Sequence, residues 1–190
     1  MSLIKHIAFS LLLLAAAQNQ QVQVQREYQL KAAFLFNFCQ FVNWPADAFT
    51  SGEAPLVIGV LGPNPFGSYL EETVSGEKIS GRPVEIRYFK EPDEVGDCHL
   101  LFIGGNNAKE SSEGIAATKG KNILTISDQP NFLKQDGMIR FMNQQNKIRF
   151  EINVEAARSA GLEISSKLLR LADIYTNPKT DRNVPKGHSN

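Results

Sequence analysis

The 190-residue sequence has little histidine, little cysteine and no net charge. Its 20 Lys and Arg residues balance 20 Asp and Glu residues, so no positive field would attract the phosphates of nucleic acid. Two cysteines are too few for a disulfide-rich scaffold or a cysteine-based zinc site. With only three histidines, no metal cluster is indicated. The composition therefore predicts a protein that binds neither nucleic acid nor a metal, and no cofactor is expected.

Long apolar runs are also missing, except at the amino terminus. Residues 1–17 combine a basic start (MSLIKH), an apolar run (IAFSLLLL) and three alanines. The run is shorter than the roughly 20 apolar residues that span a bilayer. It predicts a secretory signal peptide that is cleaved near Ala17, and therefore an exported protein. The alternative, an uncleaved amino-terminal anchor, stays open at this stage.

The remaining sequence predicts one domain. We expect a flexible lead-in over residues 18–25, a single domain over 26–174 and a disordered polar tail over 175–190. Apolar strand patterns alternate with helical ones, which is typical of α/β folds. We predict a mostly parallel central sheet with helices on both faces and an antiparallel hairpin at one edge. The expected strands cover 56–61, 84–89, 98–104, 122–127, 138–142 and 147–153.

The first predicted helix, about residues 26–42, is apolar almost all the way round. At 100° per residue only Gln29, Ala33, Asn37 and Gln40 form a narrow polar strip. Such a helix needs a second cover, that is, protein packed against the side that does not face the sheet. Leaving one large apolar side chain exposed to water forgoes about 1.5–3 kcal/mol of stabilisation. The cover is either another part of the domain or a second protein chain. The candidate partner-binding residues are Phe36, Phe38, Trp44 and Phe66.

One charge and two thiols accompany this helix. Lys31 lies on the apolar side of this helix, where a buried ammonium requires a partner of opposite charge. We predict a structural ion pair with Glu151, which follows Phe150 in a strand. Cys39 and Cys98 form either a disulfide or two free buried thiols.

Polar loops follow three of the predicted strands and suggest a second kind of site. Carboxyl ends of parallel strands share one edge of a sheet, where α/β domains bind ligands. Asn64, Asn106 and Asp128 are the candidate ligand contacts. The loop at 62–68 is not a phosphate loop, since it lacks the lysine and contains Pro63 and Pro65. Catalysis has weaker support, because Ser127 has neither a glycine-framed elbow nor an obvious histidine partner.

Six blocks of sequence, in order, resemble the signature of the YfiR family. They are KAAFLFNFCQFVNWP, IGVLGPNPFG, CHLLFIG, NILTISD, GMIRF and KIRFEINVEAARSAGLEISSKLLRLA. The resemblance covers about residues 26–174. It departs from some relatives at Gly59, where they place a cysteine that bonds to the cysteine of the CHLLFIG block. That disulfide is therefore not expected here.

The resemblance implies a periplasmic regulatory binding protein and not an enzyme. Such proteins hold an inner-membrane diguanylate cyclase inactive by binding its periplasmic sensor domain, and an outer-membrane lipoprotein relieves the repression. The expected output is control of cyclic di-GMP and biofilm formation, and the expected assembly is a homodimer. The alternative is a periplasmic domain that binds a small ligand, either an aromatic amino acid or a nucleotide.

Overall fold

A computed structural model describes residues 2–105, 107–145 and 147–177, with side chains from residue 21 onward. The helices are α1 (Ser2–Phe41), α2 (Tyr69–Val74), α3 (Ala108–Ala117), α4 (Val154–Ser159) and α5 (Ser166–Leu169). The strands are β1 (Val42–Asn43), β2 (Leu56–Leu61), β3 (Lys78–Ile79), β4 (Arg82–Phe89), β5 (Leu100–Ile103), β6 (Leu124–Ser127), β7 (Ile139–Gln144), β8 (Lys147–Ile152), β9 (Glu163–Ile164) and β10 (Asp173–Ile174). Within these residues, no helix is both long and apolar enough to cross a membrane.

An eight-stranded sheet with the order β10-β8-β7-β6-β5-β2-β4-β3 forms the centre of the domain. Strands β4, β2, β5, β6 and β7 run parallel, while β7 and β8 form an antiparallel hairpin. Every residue of β2, β5 and β6 is buried, as expected for parallel strands covered on both sides. The predicted fold class is confirmed. Outside the hairpin, β10 adds a short strand parallel to β8.

Helices cover both faces of this sheet. Alternate side chains of a strand point to opposite faces, and two apolar clusters result. One contains Ile58, Phe102 and residues of α1. The other contains Leu101 and Phe132, the latter from a 3-10 helix over Phe132–Gln135 that contacts α3.

The domain itself supplies the second cover for α1. Phe38 packs on the sheet, with ring centroids 5.7 Å from Phe141 and 5.0 Å from Phe150. Helices α2 and α5 contact α1 from other sides. The predicted polar strip is confirmed, because Gln29, Asn37 and Gln40 are exposed. Of the two covers considered, the structure therefore shows the intramolecular one.

Local sequence signals account for the ends of several helices. Helix α1 stops at Phe41, ahead of Pro45, as predicted. The Asn153 Oδ1 atom accepts a hydrogen bond from the Ala156 amide at 3.1 Å, so it caps α4. The Ser165 hydroxyl accepts one from the Lys167 amide at 3.3 Å at the start of α5. On its amino-terminal side α1 continues through residues 2–25, whose division into signal peptide and lead-in stays a prediction. Residues 178–190 lie outside the described part.

The two cysteines are free and buried on opposite sides of the sheet. Cys39 belongs to the cluster under α1, and Cys98 belongs to the cluster on the other face. The sheet between them prevents a disulfide, which leaves the alternative of two buried thiols. Burial raises the pKa of the Cys39 thiol, and it raises the pKa of Cys98 to about 12. Both side chains therefore stay protonated and serve as apolar packing groups.

Candidate functional site

The carboxyl ends of β2, β5 and β6 meet at one edge of the sheet, as predicted, and form a polar rim. The rim consists of the loops that begin at Gly62, Gly104 and Asp128. A Cβ atom on Gly104 would lie 2.7 Å from the Pro63 carbonyl oxygen, so only glycine fits this approach. The Gln129 side-chain amide donates a hydrogen bond to the Gly105 carbonyl and ties two of the loops together.

Asn64 organises its own loop. Its Oδ1 atom accepts a hydrogen bond from the Phe66 amide at 2.9 Å, and its Nδ2 atom donates one to the Gly67 carbonyl at 3.1 Å. This is the local side-chain to backbone pattern that stabilises turns. Asn64 is thus engaged within the loop. Asn106, the second predicted ligand contact, lies outside the described residues.

Asp128 belongs to a largely buried charged cluster with the first helix. Its Oδ2 atom lies 2.9 Å from the Lys31 ammonium and accepts a hydrogen bond from the Tyr28 hydroxyl at 2.8 Å. The Lys31 ammonium also lies 2.7 Å from a Glu27 carboxylate oxygen. Lys31 is only 2% exposed. Its need for a charge partner was predicted, and two carboxylates meet it.

The prediction that Glu151 is the ion-pair partner of Lys31 is wrong. Glu151 lies 2.9 Å from Arg140, its direct neighbour across the β7–β8 hairpin. Phe150 faces α1, and the residue that follows it in the strand points to the opposite face of the sheet. Glu151 therefore cannot reach Lys31, whereas Asp128, just past the end of β6, can.

The cluster fixes the protonation of Tyr28. Burial is the main cause that raises the pKa of its hydroxyl, and the negative charge of Asp128 adds to the shift. The hydroxyl consequently remains a hydrogen-bond donor to Asp128. The Lys31 ammonium also lies 4.3 Å from the centroid of the Tyr28 ring, in a cation–π contact. The arrangement holds α1 to the rim.

The four aromatic candidates for partner binding fall into two groups. Phe38 and Phe66 are 0% and 1% exposed. Phe66 packs edge to face with Phe102 at 4.8 Å between centroids. Both are core residues that a partner does not reach, so we no longer count them as contacts. Phe36 and Trp44 are partly exposed and remain candidates.

Trp44 lies beside a histidine that the sequence did not single out. Its indole N–H donates to the His99 carbonyl at 3.1 Å. The His99 Nδ1 atom accepts from the Val57 amide at 3.0 Å, so Nε2 carries the proton, 3.2 Å from the Ala48 carbonyl. Phe49 stacks on the ring at 4.3 Å. Burial lowers the His99 pKa, which keeps the ring neutral.

The described residues contain no recognisable catalytic constellation. Ser127 is buried, and its hydroxyl donates to the Ile103 carbonyl at 2.8 Å. His99 precedes β5 and therefore lies at the opposite edge of the sheet. Among the described side chains no three His, Cys, Asp or Glu residues are placed to hold a metal ion. These positions give the hydrolase hypothesis no support.

Large apolar side chains remain exposed on α1. Leu30 lies beside the predicted polar strip, and we call the face formed by Gln29, Leu30, Ala33, Asn37 and Gln40 the outer strip. Leu30 is 48% exposed there. The other exposed large apolar residues in the described part are Val22, Val24, Tyr88, Leu171 and Ile174.

A comparison with known families decides the classification. The model of the family described as YfiR/HmsC-like matches residues 28–173. The chain belongs to the YfiR/HmsC-like family. The match begins at Tyr28 and ends at Asp173 in β10, so it includes Lys31, Asp128, the rim and all of the sheet except Ile174. YfiR/HmsC-like proteins are periplasmic regulators of cyclic di-GMP signalling, and the family is regulatory and not catalytic.

Proposed function

We propose that this protein represses an inner-membrane diguanylate cyclase by binding the periplasmic sensor domain of that cyclase. Its release would raise cyclic di-GMP and favour biofilm formation. The family match over residues 28–173 is the observation that carries the proposal. The rim supports it indirectly, because Asn64 and Asp128 make internal contacts. No observation at the rim favours the alternative of an aromatic amino acid or nucleotide ligand.

The outer strip of α1 is our candidate for the partner surface. Its five residues carry amide side chains and no charge, Leu30 supplies an exposed apolar contact at one edge, and the exposed Arg26 lies one turn before Leu30. An exposed apolar side chain beside uncharged amides is typical of a protein interface, and a neighbouring arginine is also common there. Phe36, on the same helix, and Trp44, just after it, are the candidate flanking contacts.

The Lys31 cluster prepares this surface for binding. It attaches α1 to Asp128, and α2 and α5 pack along the helix. The helix is therefore rigid before it meets a partner, and a rigid surface loses less entropy when it binds.

Titration of the protein, purified after export, with the periplasmic domain of a cyclase encoded beside its gene tests the surface. We expect saturable binding that Leu30→Glu weakens at least about tenfold, because the interface would bury a charge. Leu171→Glu is the matched control, since Leu171 is 67% exposed and lies outside α1. Equal binding by both variants would exclude the outer strip.

Two further assemblies belong to the same proposal. The protein forms a homodimer, and an outer-membrane lipoprotein competes with the cyclase for it. Light scattering of the purified protein tests the first statement, and a monomer at all accessible concentrations would reject it. Displacement of the cyclase domain by the soluble part of such a lipoprotein tests the second.

A further inference from the structure

A cavity of about 800 Å³ lies at the edge of the sheet opposite the rim. The amino ends of β6 and β7 and the carboxyl end of β8 meet there. The end of α3 and the start of α4 form its sides. Its volume falls within the roughly 300–1,000 Å³ of small-molecule sites. Helix α1 contributes no residue to the lining, so the cavity is separate from the outer strip.

Three side chains in the lining have unused hydrogen-bonding capacity. The Gln135 Nε2 atom donates to the Ala108 carbonyl at 3.1 Å, while its Oε1 atom is buried and has no partner among the described residues. Asn153 is 3% exposed and uses Oδ1 to cap α4. Its Nδ2 atom makes no hydrogen bond within the described part of the chain. The Thr125 oxygen accepts from the Met138 amide at 3.2 Å, which leaves its O–H to donate.

A buried acceptor without a partner is unfavourable, so such a group is a point at which a ligand gains affinity. Gln135 offers an acceptor, and Asn153 and Thr125 offer donors. A ligand that matches them must carry both an N–H or O–H group and a carbonyl-type oxygen. Peptide groups have this combination.

The charges around the cavity have both signs. Lys119 and Lys121 come from the loop after α3, while Asp136 and Glu155 come from the opposite walls near β7 and α4. Lys121 is already bonded to the Val95 carbonyl at 2.9 Å. No aromatic side chain lines the cavity, so a flat ring would find no stacking surface. This lining disfavours nucleobases and aromatic amino acids.

We propose that this cavity binds a short peptide with free termini, about the size of a tripeptide. Its peptide groups donate to Gln135 and accept from Asn153. Its carboxylate lies near Lys119, and its ammonium group lies near Asp136 and Glu155. The recognition involves the backbone and the termini of the peptide, so the class of ligand is defined by length and charge.

Thermal unfolding and calorimetry of the exported protein with trialanine test the proposal. We expect trialanine to raise the melting temperature. We expect N-acetyl-trialanine amide, which lacks both terminal charges, to bind about tenfold more weakly or worse. Glucose is the control for a hydroxyl ligand. No response to millimolar trialanine, or a response to glucose alone, would overturn the proposal.

Three variants, one of them a control, test the position of the site. Gln135→Leu removes the buried acceptor and should raise the dissociation constant for trialanine about fivefold to tenfold. Gln144→Leu, at the exposed end of β7, makes the same chemical change away from the cavity and should leave binding unchanged. Lys119→Glu changes an exposed residue without disturbing the core and should weaken binding of trialanine through its carboxylate. Equal binding by all three variants and the unaltered protein would show that the peptide binds elsewhere.

Discussion

Lys31 is a charged side chain among the rings of the core, and two carboxylates make its burial tolerable. Glu27 and Asp128 lie 2.7 and 2.9 Å from its ammonium, and Phe141 lies on the other side, with its centroid 5.8 Å away. Burial of an ion pair contributes little net stability, whereas removal of one partner is costly because it leaves the other charge unpaired.

Replacement of this lysine should therefore destabilise the fold. We expect Lys31→Met to lower the free energy of unfolding by about 2–3 kcal/mol, below the full cost of breaking a buried pair, because both carboxylates are partly exposed. Urea denaturation measures the change. Lys109→Met is the control, since Lys109 forms only a surface pair with Glu113 and should change stability by less than about 0.5 kcal/mol. Equal losses in the two variants would contradict the buried cluster.

His99 should make stability depend on pH. Its pKa is lower in the folded chain, mainly because of burial, than the unfolded value of about 6.5. The unfolded state therefore takes up the proton first, and stability falls as pH drops below about 6.5. Protonation of Nδ1 also removes the acceptor for the Val57 amide.

Urea denaturation at several pH values between 7 and 5 checks this pH dependence of stability, with His99→Gln as the comparison. The difference in stability between the two proteins should shrink as the pH falls. An imidazole that titrates at or above pH 6.5 in NMR spectra of the folded protein would contradict the buried, neutral ring.

The roles of individual residues could be predicted from sequence more reliably than the partners that they contact. The need of Lys31 for a charge partner followed from its position among the apolar residues of the helix, and asparagine and serine, as at 153 and 165, are residue types that favour helix N-caps. The partner did not, because Asp128 reaches Lys31 through a loop whose course is set by the tertiary fold. The alternation of side chains along the strand places Phe150 toward α1 and thereby excludes Glu151.

In strand β2, the absence of a side chain at Gly59 determines how the neighbouring core residues pack. A Cβ atom on Gly59 would lie 2.8 Å from Leu101 Cδ1 and 2.9 Å from Phe89 Cε2. Gly59→Ala should therefore destabilise the protein by about 1–3 kcal/mol through overpacking. Thermal or urea unfolding measures it. A neutral result would mean that Leu101 and Phe89 move aside freely.

The same position should accept a disulfide. The Gly59 Cβ position lies 3.3 Å from the Cys98 sulfur, close enough for a bridge after a small rotation. After export, Gly59→Cys should show only the Cys39 thiol in labelling under denaturing conditions. Gly52→Cys, which has open space around it, should show three thiols. Three labelled thiols in Gly59→Cys would contradict this geometry.

Helices and strands could be predicted where the segment was long enough to show its hydrophobic periodicity. The buried runs of β2, β5 and β6 and the β7–β8 hairpin all followed from pattern and turn residues. The two-residue strands β1 and β9 did not, because their pairing depends on where α1 ends relative to residues after α4.

For the whole molecule, the polar edge expected to bind a ligand is closed by its own contacts. The rim side chains hold loops and α1 in place, while the opposite edge contains the open cavity. The sequence did not indicate that cavity, because Gln135, Asn153 and Thr125 come from separate segments and share no motif. The proposed surface for a protein partner is the outer strip on a firmly anchored helix.

An assay of cyclase activity tests whether this protein represses the cyclase. The full-length cyclase encoded beside the gene, in native membranes, would be supplied with GTP while the exported protein is titrated on the periplasmic side. We expect a saturable fall in cyclic di-GMP synthesis that Leu30→Glu abolishes and Leu171→Glu retains. Cyclase activity that stays constant up to concentrations far above that of the cyclase would contradict it.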